Sequence, residues 1–378
     1  MKKRIFGFLA VLALCGTLLS ASSPIGHVRT ARLSAGGEVY QPTIEASAKA
    51  TLLAGNAYEF AAFYEKLKSE AYYDGTDQFA PVPAVISWTA EEGAQYYTVK
   101  LSQNADLSDA MHFVTFDNEL AIENLFMGTD YYYQIVAHYA DKVIQSRTFA
   151  MQTAYLPRTI SIEGISNTRD IGGYYTVDGT HRLRQGLVYR GGETEHVTEQ
   201  GRYDFLYTYG IRTDLDLRGY AKSPFGDAVN FVSVSAPYYM GSSTGILAES
   251  YRDALITEIK TFADPASYPI YVHCALGRDR TGTVCFLISA LCGVGETDLY
   301  RDFEMSFLSE RGSYGSTPTA HVNGAFTDLF EYINTYPVAN NADASLADRT
   351  AAFMMEQLDI TQEEIDNIRS IMLEEVAK

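Results

Sequence analysis

The spacing of hydrophobic positions changes character along the chain. Residues 23–56 are rich in Ala, Ser, Thr and Gly with no sustained period, which reads as a flexible leader. In "NAYEFAAFYEKLKSEAYYD" (56–74), Tyr58, Ala61, Ala62, Tyr64 and Leu67 fall at helical intervals, predicting a short amphipathic helix. From about 82 to 153 the pattern shortens to alternating runs: "AVISWT", "AQYYTVKLS", "MHFVTF", "LAIENL", "DYYYQIVAHY" and "VIQSRTFAMQT". Turn residues separate them at roughly 8–15 residues, the signature of an all-β sandwich. Beyond Pro157 the texture becomes α/β. Strands are predicted at 187–190, 211–217, 230–235 and 268–273, and helices at 198–209, 249–262, 281–293, 297–311, 322–335, 346–357 and 361–376. Thr361 and Glu364 form a capping-box pair at the start of the last helix. Strands alternating with helices imply crossover connections and a mostly parallel sheet.

The first residues follow another logic. Lys2, Lys3 and Arg4 precede an apolar run from Ile5 to Leu19 and a small-residue "SAS" at 20–22, the order of a secretory signal cleaved near Ser22. A retained anchor is the rival, but the run falls short of the ~18–20 residues that span a bilayer. Leu14 before Cys15 is too bulky for the usual lipoprotein cleavage site. The division expected is therefore a signal at 1–22, a leader with a short helix at 23–80, a β-sandwich at 81–155 and an α/β domain at 156–378. Within the sandwich, Leu125, Gly128, Thr129 and Tyr131 or Tyr133 resemble the corner before a late strand of fibronectin type III modules. Its tyrosine run reads as core filling and sheet coating rather than a carbohydrate or peptide platform, and the module as a stabilising spacer.

Composition narrows the possible partners. The 378-residue chain is 47% hydrophobic with a formal net charge of −18, which loss of Lys2, Lys3 and Arg4 makes more negative. Such a surface repels nucleic acid and anionic membranes, so neither is expected as a partner, and no stable membrane span is expected once the signal is removed. An anionic substrate would need a local basic pocket. Cys274, Cys285 and Cys292 remain after cleavage; an odd number clustered in one segment is no disulfide framework. On a helix, Cys285 and Cys292 lie two turns apart, too far to bridge. Both fit as small buried hydrophobes; Cys274 does not.

Cys274 ends an apolar strand, "YPIYVHC", and precedes a turn, "ALGRD", and a helix opening at "RTG". Backbone N–H groups of such a turn, together with the helix dipole, hold a phosphate-like anion. The binding set is Ala275, Leu276, Gly277, Arg278, Asp279 and Arg280, with Gly277 permitting the tight turn. A cysteine placed where anions are stabilised favours its thiolate and becomes a nucleophile. Arg280 can grip two phosphoryl oxygens bidentately. Thr281 can donate its hydroxyl to the sulfur as an intermediate breaks down. His273 is expected to buttress the loop through hydrogen bonds.

The loop "HCALGRDRTG" resembles the active-site loop of the protein-tyrosine-phosphatase superfamily. "SNTRDIGGYYTVDG" (166–179), "LVYRGGE" (187–193), "YGIRTDLDLR" (209–218) and the helix after "LDITQEEI" resemble, in order, the bacterial tyrosine/serine phosphatase branch, whose loops read HC-x-x-GKDRTG. The resemblance spans about 160 to 378 and implies a protein-tyrosine-phosphatase-like α/β sheet and a two-step reaction. Cys274 would attack phosphorus, Arg280 would hold the phosphoryl oxygens, and water would hydrolyse the phosphocysteine. It implies no cofactor, and no metal is needed; the chain offers no Cys/His ligand cluster. A general acid is wanted, yet no W-P-D tripeptide exists. Asp279 inside the loop is favoured, with Asp216 at a strand's end as rival; the alternative role for either is a salt bridge that orients Arg280 or Arg218. Arg169 and Asp170 are expected to organise the loop from below. The chain departs from the branch at Arg278, where Lys is usual, and in "GYAKSP" after "DLR".

The substrates implied are phosphorylated proteins (phosphotyrosine, phosphoserine or phosphothreonine) or phosphoinositides. Arg278 beside Arg280 would suit neighbouring phosphates, which keeps an inositol polyphosphate, phytase-like activity open. A phosphate-binding pseudoenzyme and a rhodanese-like sulfurtransferase are the readings of other kinds; Thr281 after Arg280 favours phosphate over the latter.

Overall fold

The computed structural model describes residues 29–30, 35–37, 81, 83–153, 157–241, 243–313 and 324–376. The signal segment and the helix expected at 56–74 lie outside them.

The amino-terminal sheets meet over one core. Strands β1 (Arg29–Thr30), β4 (Tyr96–Ser102), β5 (Met111–Thr115), β7 (Asp130–His138), β8 (Val143–Gln145) and β9 (Phe149–Gln152) form one sheet, and β2 (Ala35–Gly37), β3 (Ala84–Trp88) and β6 (Glu119–Ile122) the other. Alternation does the work: Tyr97, Val99 and Leu101 of β4 and Tyr131, Tyr133, Ile135 and Ala137 of β7 pack against Ala84, Ile86 and Trp88 of β3. Burying alternate tyrosines agrees with the core-filling expectation. Two expectations change. Arg29–Thr30 pairs with β8 and Ala35–Gly37 with β3, so the leader lends strands to the sandwich. The run 143–153 divides into β8 and β9 on the same edge of β7. The break falls at Ser146, whose hydroxyl accepts the Ile135 N–H at 2.9 Å and donates to the Arg147 carbonyl at 2.7 Å.

The second core belongs to a five-stranded sheet ordered β10 (Arg169–Asp170), β12 (Val188–Gly191), β15 (Ile270–His273), β13 (Thr213–Asp216), β14 (Asn230–Ser233). Only β10 runs antiparallel; the other pairings are parallel, as the strand–helix alternation predicts. Strand β15 is central and buried on both faces, so it reads as a continuous apolar run. The helices are α1 (Glu199–Tyr203), α2 (Arg252–Ala263), α3 (Asp279–Leu291), α4 (Glu296–Glu304), α5 (Glu310–Ser313), α6 (Gly324–Asn334), α7 (Leu346–Leu358) and α8 (Gln362–Met372). Helix α1 continues as a wider turn in which the Tyr209 N–H reaches the Asp204 carbonyl. The capping box at Thr361 and Glu364 forms. The final helix nevertheless stops at Met372, because Leu373–Glu375 becomes a strand, β16, paired with β11 (His181–Leu183) and fastened by an Arg182–Glu374 ion pair at 2.5 Å.

The two parts are docked rather than merely strung together. The Gln185 side chain accepts from the Met127 N–H and donates to the Met127 carbonyl, both at 2.8 Å. Arg158 donates to the Asn124 carbonyl at 2.9 Å, and Tyr209 to Asn124 Oδ1 at 2.9 Å. The Arg158 guanidinium also lies over the Phe126 ring.

Candidate active site

The central strand delivers Cys274 to the carboxyl end of the sheet, and α3 starts at Asp279, so residues 275–278 make the whole turn. Gly277 sits at φ +69°, and a Cβ there would meet the Gly191 carbonyl oxygen at 2.3 Å, so both backbone conformation and space demand glycine. The turn's carbonyls are tied outward. Asn167 Nδ2 donates to the Leu276 carbonyl at 2.9 Å, Arg190 Nη2 to that of Gly277 at 2.9 Å, and the Glu193 N–H to that of Ala275 at 3.3 Å. Across a trans peptide the next N–H points the opposite way, so those of Leu276, Gly277 and Arg278 turn into the loop above Cys274. That arrangement can cradle a tetrahedral oxyanion at a helix amino terminus.

Beneath the loop, Asp302 of α4 bridges two fully buried guanidinia. Arg169 Nε reaches its Oδ1 at 2.8 Å, and Arg190 Nη1 pairs with its Oδ2. Burial pushes the Asp302 carboxyl up, but the two arginines override it and hold it below the ordinary value. Arg169 also donates to Asn167 Oδ1 at 2.8 Å, so one network supports both side chains that grip the loop. Arg169 thus reaches the loop through Asn167. Asp170 does not: its carboxylate faces the other way, taking the Gly172 and Gly186 N–H groups and pairing with Arg158. Its role is to close the turn at the sandwich interface. Asn167, Arg190 and Asp302 were missed; Asn167 and Arg190 stood within "SNTRDIGGYYTVDG" and "LVYRGGE", but nothing local told which partners they would find.

His273 is buried, with Nε2 2.9 Å from Asp214 Oδ1, while Ser223 holds the other Asp214 oxygen at 2.5 Å. That is a buttress. Asp216 is clamped by Arg218 on both oxygens, at 2.9 and 2.7 Å. Burial raises the Asp216 carboxyl, yet Arg218 and nearby His273 lower it more, leaving it below the usual range. Arg218 also engages Glu193 at 3.3 Å and Glu195 at 2.7 Å, and Arg311 pairs with Glu193. The Arg278 side chain leaves the loop: it binds Asp279 at 3.0 Å and the Gly312 carbonyl at 2.8 Å, over the Phe307 ring. It offers the loop its backbone N–H, not the extra cation expected. Arg280, beside the Tyr238 ring, makes no ion pair among the described residues. The Thr281 hydroxyl is buried without a hydrogen-bond partner among them.

A tyrosine phosphatase family profile matches residues 160–374. A protein of Cupriavidus necator, provisionally named a tyrosine-protein phosphatase, is 28% identical over 192 residues, covering 44% of this chain and 68% of that protein. The core catalytic domain of the PP-IP phosphatase Siw14 from S. cerevisiae is similar at 16% identity and a TM-score of 0.28, covering 43% of this chain and 94% of that one. An Fn3-like protein from Clostridium thermocellum is similar at 23% identity and a TM-score of 0.18, covering 23% of this chain and 88% of that one.

Proposed function

The chain belongs to the tyrosine phosphatase family and is a protein-tyrosine-phosphatase-like hydrolase, and from that premise we propose that it hydrolyses singly phosphorylated monoesters, phosphotyrosine above all, through a phosphocysteine. The observation that carries this is Cys274 at the head of a turn whose carbonyls are tied away, leaving its N–H groups to turn inward, with Arg280 making no ion pair among the described residues. Cys274 Sγ donates an electron pair to phosphorus. The bond to the leaving oxygen breaks, and that oxygen takes a proton from Asp279. Water then attacks phosphorus and gives a proton back to the Asp279 carboxylate, and the S–P electron pair returns to sulfur, helped by the Thr281 hydroxyl. Asp216, held anionic by Arg218, positions Arg218 and gives no proton.

The charge around the loop supports one phosphate rather than several. Arg278, Arg218 and Arg311 are each paired with carboxylates, so none of these three is a cation left over for a second phosphate, which would also meet Glu193 and Glu195. This speaks against the phytase-like reading. We also propose that the chain acts outside the cytoplasm, on the order of residues 1–22, and that the fibronectin-like module is a fixed prop.

The test is phosphate release in EDTA by wild type and Cys274→Ser, on phosphotyrosine, phosphoserine and phosphothreonine peptides, phosphoinositides and inositol hexakisphosphate. Phosphotyrosine turnover should dominate and fall more than about 1,000-fold in the variant. Release that survives the substitution would refute the thiolate mechanism. Phosphate binding without any turnover would make the protein a binding module.

A further inference from the structure

Asp279 is held asymmetrically. Tyr239 donates its hydroxyl to Oδ1 over 2.6 Å, and Arg278 Nε donates to the same oxygen over 3.0 Å. Among the described residues, Oδ2 meets only Arg278 Nη2 at 3.4 Å, too long for a strong bond. An oxygen already accepting two hydrogen bonds is a poor site for a proton, so Oδ2 is the oxygen from which Asp279 would pass one on.

Tyr239 is itself locked. Its φ is +57°, a left-handed conformation that an aromatic residue adopts only when its surroundings impose it. Its N–H donates to Thr283 Oγ1 at 3.0 Å, and that hydroxyl donates to the Asp279 carbonyl at 3.0 Å. Its carbonyl accepts from the Ile246 N–H at 2.9 Å, and its ring stands edge-on to Phe303. One residue is therefore tied twice to the first turn of α3, by its backbone through Thr283 and by its ring through Asp279.

We propose that Tyr239 is a positioning residue for proton transfer: its hydroxyl fixes the Asp279 carboxyl so that Oδ2 presents the proton to the leaving oxygen as the S–P bond forms and the P–O bond breaks. This rests on the phosphatase reading and on Asp279 as the acid. A positioning role differs from a structural one in how it depends on the leaving group. Phenolate leaves poorly without a proton, whereas 4-nitrophenolate leaves readily.

The experiment measures kcat on phenyl phosphate and on 4-nitrophenyl phosphate for wild type, Tyr239→Phe, Asp279→Asn and the double variant, with thermal unfolding of each. Tyr239→Phe keeps the ring and should lower the phenyl to 4-nitrophenyl ratio by about tenfold, a part of what a general acid is worth. Asp279→Asn should lower the ratio further, and adding Tyr239→Phe to it should change nothing more. Equal losses on both substrates, additive losses in the double variant, or an unchanged ratio in Asp279→Asn would overturn the proposal while leaving the phosphatase reading intact. A wild type that turns over neither substrate would remove that reading and this proposal with it.

Discussion

At the scale of single residues, three thiols share one short segment but not one chemistry. Burial pushes Cys285 and Cys292 up to about 12, so each stays a protonated, inert hydrophobe at neutral pH. All three are buried and unbridged, and what sets Cys274 apart is its place beneath inward-facing N–H groups. Iodoacetamide applied to the native protein at neutral pH should therefore label Cys274, more slowly when inorganic phosphate fills the loop, and leave the other two unlabelled until denaturant is added. Peptide mass spectrometry reads the outcome, and native labelling at Cys285 would contradict it. Cys274, Gly277 and Arg280 were legible in the sequence because their chemistry depends on neighbours within seven positions. The partners of Asp216 and Arg278 were not, because carboxylates and carbonyls from other segments decide where those side chains turn.

At the scale of elements, the loop is shaped by β12 and α4 as much as by its own strand and helix. Arg169 and Arg190 reach Asp302 across separations of 133 and 112 residues, a pairing that no local period reveals. Removing Asp302 leaves two buried guanidinia without their counter-charge, and Asp302→Ala should cost about 3–5 kcal/mol in denaturant unfolding. The pH dependence has a definite sign. Because the folded Asp302 carboxyl lies below the unfolded value of about 3.9, its contribution is fully present above that value and is lost as pH falls through the folded one. Stability measured below about pH 4 should thus fall less steeply in Asp302→Asn than in wild type. The same limit of local patterns explains the carboxyl end: the amphipathic stripe continues past Met372, but pairing with His181–Leu183 turns the next three residues into a strand.

At the scale of the whole molecule, the loop between β6 and β7 is what joins the sandwich to the catalytic part. Gln185 satisfies both backbone groups of Met127, and the site is buried, so Gln185→Ala leaves a donor and an acceptor without partners. It should lower stability by about 2 kcal/mol. In calorimetry the single cooperative transition expected of wild type should separate into two. Hydrolysis of 4-nitrophenyl phosphate should stay within about twofold, since Gln185 touches nothing at the loop. An unsplit transition at the wild-type temperature would show that the docking contributes nothing.

The sequence by itself determined the periods of the elements, the break near Pro157 between all-β and α/β texture, and the strand–turn–helix that carries Cys274, Gly277 and Arg280. Each of these depends on nearest neighbours along the chain. Tertiary structure alone decided that Asp302 holds two arginines under the loop, that Arg218 clamps Asp216, that Arg278 turns away from the phosphate position, that Tyr239 grips Asp279 and that the sandwich is docked. Each of these is a pairing of charges or hydrogen-bonding groups from separate elements, and burial makes such pairs obligatory without marking either partner in the sequence.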